Sequence, residues 1–414
     1  MSKLFEKDKK MKTTNVLFTF GGITHYIDAL LNKIVDKGVK VTVVLPKTGN
    51  TTIGKGVKMV EGGKYNRLYS NERKMWYGKS ALEDLPKIIS QEQPDIVVMG
   101  WPYFLQVELQ PGLKSVFKAT GSKLILREIP FQTPPYGKIK SYFAEHPMVT
   151  EDMSVVSQGT AFYVKQWIIS LIRKRCYRFA SATLNYSTVA YDILPSYGVD
   201  KDKINVTFNS TDTNSLMRVR DIVVSSKPIL PASSQRILHI GRLVKWKRVD
   251  LLISAFAEVH KRFPDSELVI VGKGPELENL MQQAKNIGLE DKCKFVGAIY
   301  EPERLGAYMY ESSVYVLAGM GGLSINDAMT YSMPIVCSVC DGTERDLVND
   351  GVNGYFFKEG DANDLASKIE KIISNPELAE KMGEESFKII QDKININTVS
   401  DRFVKAFNSV MTSN

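Results

Sequence analysis

The chain reads as an α/β protein of two doubly wound domains, and three observations predict this. Short apolar runs alternate with amphipathic segments along most of its 414 residues, the pattern of parallel sheets covered by helices. The apolar runs lack strict alternation, as expected of strands buried on both faces. A polar, proline-marked stretch near the middle separates two such sets, and the length suits two or three domains with cores of their own.

In the first half the strand candidates are NVLFTF from Asn15, VKVTVVL from Val39, DIVVM from Asp95, KLILR from Lys123, ATLNY from Ala182 and INVTF from Ile204. Gly21-Gly22 follows the first strand. From Ile23 the chain reads as a helix with Ile27, Leu30, Leu31 and Ile34 inward. The stretch 213–235, with Pro228 and Pro231, is read as the linker. The second set comprises RILHI from Arg236, ELVIVG from Glu267, CKFVG from Cys293, SVYVL from Ser313 and PIVCS from Pro334. Between its first two strands, VDLLISAFAEVHKRF places Leu251, Leu252, Ala255, Phe256 and Val259 on one helical face, and Pro264 ends the segment. The expected division is therefore 1–212, linker 213–235, and 236–394, with 395–414 a helix returning to the first domain. Folds of this kind bind ligands beyond the carboxyl ends of their strands.

Lys and Arg total 54 against 46 Asp and Glu, a formal charge of +8 with pI near 9.0. The excess favours anionic partners such as nucleotides or phospholipid headgroups. No nucleic-acid signature accompanies it, and the basic residues are spread along the chain, so nucleic acid is excluded as a partner. Four cysteines suit a reducing compartment. Cys337-Ser-Val-Cys340 has no second pair to complete a zinc site and leaves a strand into a loop, so it is read as structural. No stretch approaches the roughly 18 apolar residues of a membrane span, and the basic N-terminus lacks a signal-peptide core. The expectation is a cytoplasmic protein, at most peripheral on the inner face of a membrane.

The most informative segments are RILHIGRLVKWKRVD from Arg236 and GLSINDAMTYSMP from Gly322. The first puts Gly241, Arg242 and Lys247 in a strand-to-helix loop. The second opens a helix with Gly322, Leu323 and Ser324 and carries Asp327. Backbone N–H groups at a helix start lack intrahelical partners and suit an anion. Arg supplies a planar fork of donors and Lys a mobile point charge. Together they predict a diphosphate pocket. Gly21 and Gly22 would let a ligand approach the backbone closely, with His25 either directed to that ligand or a plain surface residue. VGKGPE from Val271 lacks the third glycine of a dinucleotide fingerprint; it is expected to shape the pocket without touching phosphate. Asp200-Lys-Asp202 lies in a polar turn, so the site is read as metal-independent, with Arg242 and Lys247 neutralising charge. Glu128, after KLILR, is a candidate carboxylate near an acceptor, against a surface reading. The run from Ala161 to Phe179 mixes apolar residues with Lys165, Arg173, Lys174, Arg175 and Arg178, a composition suited to a lipid interface or to a core helix with a basic side. Arg67 to Lys79, around Trp76, is a second candidate surface.

On these motifs, Arg236 to Gly360 resembles the donor-binding domain of glycosyltransferase family 4, retaining enzymes of GT-B architecture with two facing Rossmann-like domains. The matching segments are GRLVKWKRVDLLISAF, VGKGPE, FVG, GLSINDAMTYSMPIV and NDGVNGYFFKEGD. The Gly21-Gly22 turn, PDIVVM and NSTD from Asn209 agree more loosely, and the whole is similar to bacterial enzymes of surface-polysaccharide synthesis. The resemblance implies that Arg242 and Lys247 bind the donor diphosphate, Gly322 and Leu323 present amides to it, and Asp327 faces the ribose. Two family glutamates are replaced here, the first by Gly319 and the second by Asp327. Asp341 and Glu344 are the candidates to supply the missing carboxylate. The implied activity is transfer of a sugar from a nucleoside diphosphate to a lipid-linked saccharide, with no cofactor and with peripheral contact to an anionic membrane. The rival readings are a sugar-nucleotide hydrolase or 2-epimerase of the same fold, and a non-catalytic nucleotide-sugar binder.

Overall fold

The computed structural model describes residues 13–47, 60–75, 78–129, 133–340 and 342–412; Trp76 and Asp341 lie outside them. The chain divides into two compact units. One is drawn from 1–128, 172–184 and 400–414, the other from 129–171 and 185–399.

The first unit contains β1 (Asn15–Thr19), β2 (Lys40–Pro46), β3 (Asn66–Ser70), β4 (Glu72–Lys74), β5 (Ser80–Leu82), β6 (Ile96–Gly100) and β7 (Lys123–Glu128). The strand β8 (Ala182–Asn185) ends at its boundary. Its sheet runs β3-β2-β1-β6-β7-β8, with β1, β2, β3, β6 and β7 paired in parallel. The strands β4 and β5 form a separate antiparallel pair. Val16, Leu17 and Phe18 are buried at the centre. The His25–Asp36 helix buries Ile27, Leu30, Leu31 and Ile34, the stripe that its 3.6-residue period predicts. From Ser400 onward the Ile396–Thr412 helix belongs to this unit: Phe407 stands edge-on to Phe18 at 6.1 Å, and Lys37 pairs with Asp401.

The second unit holds the short β9 (Ile204–Val206) and a sheet of β10 (Arg236–Ile240), β11 (Glu267–Val271), β12 (Cys293–Gly297), β13 (Val314–Leu317), β14 (Ile335–Cys337) and β15 (Gly354–Phe356). The order is β12-β11-β10-β13-β14-β15, all parallel. Succession reverses direction between β10 and β13, so the loops after those two strands flank a topological switch point. The Val249–Arg262 helix buries seven residues against the sheet, Leu251, Leu252, Ala255, Phe256 and Val259 among them.

Two features depart from the sequence expectation. The stretch read as a linker begins with a helix, Thr213–Ser225, capped by the Asp212 side chain on Ser215 N. It packs within the second unit, where the Arg220 guanidinium lies 4.1 Å from the Phe387 ring centroid and bonds Ser332. The chain beyond this helix is anchored as well: Glu311 accepts from the amides of Ile229 and Leu230. The anchor is Arg236, only 2% exposed, which pairs with Glu267 and donates to the carbonyls of Glu311 and Pro231. Such a cation is costly to desolvate, and each of its donors must be answered. Arg236→Ala should therefore lower stability by about 3 kcal/mol, measured as a shift in denaturant midpoint; an unchanged midpoint would show that the network contributes nothing.

Candidate functional site

The site is assembled from the loops that leave β10, β11 and β13. After β10 the chain passes through Gly241, Arg242 and Leu243 into a short 3-10 turn, Lys245–Lys247. The loop after β11 runs against it. Gly241 N donates to Val271 O, Leu243 N to Lys273 O, and Glu276 N to Leu243 O. A Cβ at Gly272 would stand 1.9 Å from Gly241 O, and one at Gly274 would stand 2.2 Å from Leu243 O. No side chain fits there. The two glycines of VGKGPE are thus a packing requirement that seats the Arg242 loop.

The same arrangement recurs on the other side. A Cβ at Gly319 would lie 2.3 Å from Trp246 O and 2.6 Å from the Lys247 carbonyl carbon, and Met320 N donates to Trp246 O at 2.8 Å. This contact draws Lys247 under the loop that follows β13. Its ammonium donates to Met320 O at 2.9 Å and to Gly321 O at 2.7 Å. Nζ is 3.1 Å from where a Gly322 Cβ would be. Lys247 and Gly322, paired on sequence grounds, therefore do converge. Arg242 lies on the same loop with its guanidinium 5.6 Å from the Trp246 ring centroid.

Gly322 is exposed, while Leu323 and Ser324 are partly buried. The helix they open, Ser324–Thr330, has seven residues, so it offers local amide groups more than a long helix dipole. Asp327 lies in its first turn. Its Oδ1 is buried without a hydrogen-bond partner, and burial pushes the carboxyl up to about 6, offset in part by the nearby Thr211 hydroxyl. Thr211 reaches the helix because Asn326 donates to Asn209 O, which holds the 209–212 segment there. Beneath Gly241, His239 is fully buried with Nδ1 3.0 Å from Val316 O. A carbonyl only accepts, so Nδ1 carries the proton. Burial, with Lys247 adding to it, lowers the imidazole to about 4, and the ring is neutral beside the lysine.

Other candidates take different roles. Glu344 is fully buried and accepts from Gly342 N at 3.0 Å. Asp346 accepts from the Thr188 amide and hydroxyl, and Ser187 donates to Gly342 O. Glu344 thus commits one carboxylate oxygen to its own loop, and its other oxygen is buried. Asp341 falls outside the described residues. In the first unit Gly21 and Gly22 are partly buried after β1, and His25 is exposed at its helix start, edge-on to Tyr26. Glu128 is neither a surface residue nor an open carboxylate. It is buried, with Arg173 on Oε1 and Tyr177 on Oε2, and Arg173 lies 4.2 Å from the Trp101 ring centroid. Asp200 and Asp202 sit in an exposed 3-10 turn, where Asp200 pairs with Lys203. Among the described residues no group of three or more His, Cys, Asp or Glu could hold a metal.

Two parallel α/β units with a loop site at a switch point define a fold of the GT-B class. The structure of Anabaena HepE in complex with UDP superposes with a TM-score of 0.64, covering 96% of this chain and 100% of that one at 17% identity. Residues 224–389 match the family model described as glycosyl transferases group 1. An uncharacterized glycosyltransferase of Haemophilus influenzae is 27% identical over 185 residues, 44% of this chain and 52% of that one. A GDP-mannose-dependent alpha-(1-6)-phosphatidylinositol monomannoside mannosyltransferase of Mycolicibacterium smegmatis is 28% identical over 217 residues, 50% and 52% of the two chains. The chain spans about half the length of these curated relatives.

The Gly319 contact yields a test. Gly319→Glu installs the residue that the family resemblance leads one to expect, yet its Cβ must displace the backbone of Trp246 and Lys247. It should destabilise the second unit by about 1–3 kcal/mol, read as a fall in Tm; a variant as stable as the parent would show that the turn yields freely.

Proposed function

We propose that this chain is a retaining glycosyltransferase that moves a hexose-type sugar from a nucleoside diphosphate to a hydroxyl of a lipid-linked glycan in bacterial polysaccharide synthesis. The observation that carries the reading is the buried Lys247 ammonium, held by two carbonyls beside Gly322. A cation fixed in a poorly solvated place next to the amides of a helix start is suited to a diphosphate leaving group. Charge builds on that group as the glycosidic bond breaks, and donors already in position stabilise it without reorganising. Arg242 supplies a second, forked cation from the same loop. Asp327 serves as acceptor for the ribose hydroxyls, and no cofactor beyond the donor is required.

The UDP of the HepE structure and the GDP-mannose named for the mycobacterial relative support a nucleotide sugar as donor. For the acceptor, the support is chemical. The Thr160–Phe179 helix has no acidic residue; its Arg173 is buried on Glu128, but Lys165, Arg175 and Arg178 are exposed together with Val164 and Trp167, the last two at 51% and 56%. That combination suits peripheral contact with an anionic lipid surface. Among the described residues no helix is long and apolar enough to cross a membrane.

Arg242→Ala and Lys247→Met should each lower turnover by about two to three decades while leaving the fold intact by circular dichroism. Near-normal turnover in both variants sinks the assignment. The Asp327 carboxyl adds a pH dependence. With its folded value pushed up to about 6, the group is protonated below that pH and loses acceptor capacity. Nucleoside diphosphate affinity measured by calorimetry should therefore rise several-fold as pH increases from 5 to 7.5, and Asp327→Asn should flatten the profile.

A further inference from the structure

The segment between β9 and the Thr213–Ser225 helix brings a hydroxyl to Asp327 that the proposed chemistry has not used. Thr211 is 5% exposed, and its backbone is held from several directions. Asn326, the residue before Asp327, donates to Asn209 O at 3.5 Å. The Thr211 carbonyl accepts from Thr213 N at 2.8 Å and from Ser210 Oγ at 2.9 Å. Asp212 then caps the next helix through the amide and hydroxyl of Ser215. With its main chain so occupied, Thr211 has only its side chain left to offer. That hydroxyl is buried with no hydrogen-bond partner, and Asp327 Oδ1 is buried with none either.

The two groups are neighbours, and of those around Asp327 the Thr211 hydroxyl is what counters the effect of burial on the carboxyl. The ionisable groups on the adjoining elements supply no such help. Tyr315 of β13 and Tyr331, just past the end of the helix, are phenols raised by burial and by the Asp327 charge, Tyr331 to about 12, so both stay neutral. Cys337 of β14 faces Tyr315. Arg220 acts on Tyr331 and is engaged by Ser332 and the ring of Phe387, on the Pro376–Asp392 helix. A hydroxyl rotates without moving its oxygen, so Thr211 can turn its proton to the carboxylate whenever that group is charged.

We infer that Thr211 is a positioning residue that keeps Asp327 ionised at neutral pH and so sets the pH range in which the site takes a nucleotide. The inference rests on the nucleotide-sugar reading of Asp327 and deepens it by adding its control. A donated hydrogen bond favours the charged form of a carboxyl over the neutral one. Thr211 acts through the carboxylate and touches no ligand itself.

The test is calorimetric titration of the full chain with UDP and GDP from pH 5 to 9, beside Thr211→Val, which keeps the branched shape, and Thr211→Ser, which keeps the hydroxyl. Thr211→Val should move the midpoint of the affinity profile up by about one pH unit. Affinity should then fall about five-fold at pH 6 and return to within about two-fold of the wild type at pH 8.5. Thr211→Ser should restore the wild-type midpoint, and in an Asp327→Asn background Thr211→Val should change nothing. An unmoved midpoint, or a uniform loss across the whole pH range as a merely structural threonine would give, overturns the inference while the Asp327 reading stands. A wild type whose affinity matches that of Asp327→Asn at every pH overturns both.

Discussion

The second unit depends on backbone meeting backbone where its strands end. Three loops approach so closely that three glycines have no room for a Cβ: Gly272 against Gly241 O, Gly274 against Leu243 O, and Gly319 against Trp246 O. The loops after β10, β11 and β13 are thereby fused into one rigid edge, cross-linked by Leu243 to Lys273, Glu276 to Leu243 and Met320 to Trp246. Ordering a loop ordinarily costs about 1–2 kcal/mol per residue. Here that entropy is lost on folding, before any ligand arrives, so a bound ligand meets groups already in place.

Electrostatics follow from that geometry. Lys247 is 9% exposed, and a buried ammonium survives only if its donors are answered. The Met320 and Gly321 carbonyls do so, and they belong to the loop that Gly319 admits. His239 fits the same logic. Its proton is committed to Val316 O, so a neutral ring rather than a second cation lies near the lysine. Asp327 has a buried oxygen with no hydrogen-bond partner, a local cost of the kind that marks a candidate functional site.

Much of this was legible in the sequence because two signals are local. The unbroken apolar runs at Arg236, Glu267 and Ser313 marked buried parallel strands, and GR and KWK after the first of them marked the loop that brings Lys247 to Gly322. Less was legible where tertiary context decides. The Thr213–Ser225 helix is rich in Ser, Asn and β-branched residues, which weaken helix propensity; its one clear signal was Asp212, a good N-cap three residues before Ser215. Glu128 ends a strand as an active-site carboxylate would, and nothing nearby in sequence announces Arg173, 45 residues on. The setting of Glu344 is likewise decided by tertiary context: it is fully buried and accepts from Gly342 N, on a loop that Ser187 and Thr188 brace. The short strands β3, β4, β5 and β15 carry too few apolar residues to stand out.

Gly319 shows how a departure from a family pattern can be structural in origin. A glutamate there would need its Cβ where the Trp246 carbonyl stands, so in this fold the 3-10 turn and that side chain are mutually exclusive. With glycine, the turn closes down, Met320 bonds to Trp246, and Lys247 reaches the two carbonyls that hold it. Glycine at 319 thus admits a backbone contact that a side chain would exclude, and the carboxylate that the family resemblance leads one to expect at this position is absent.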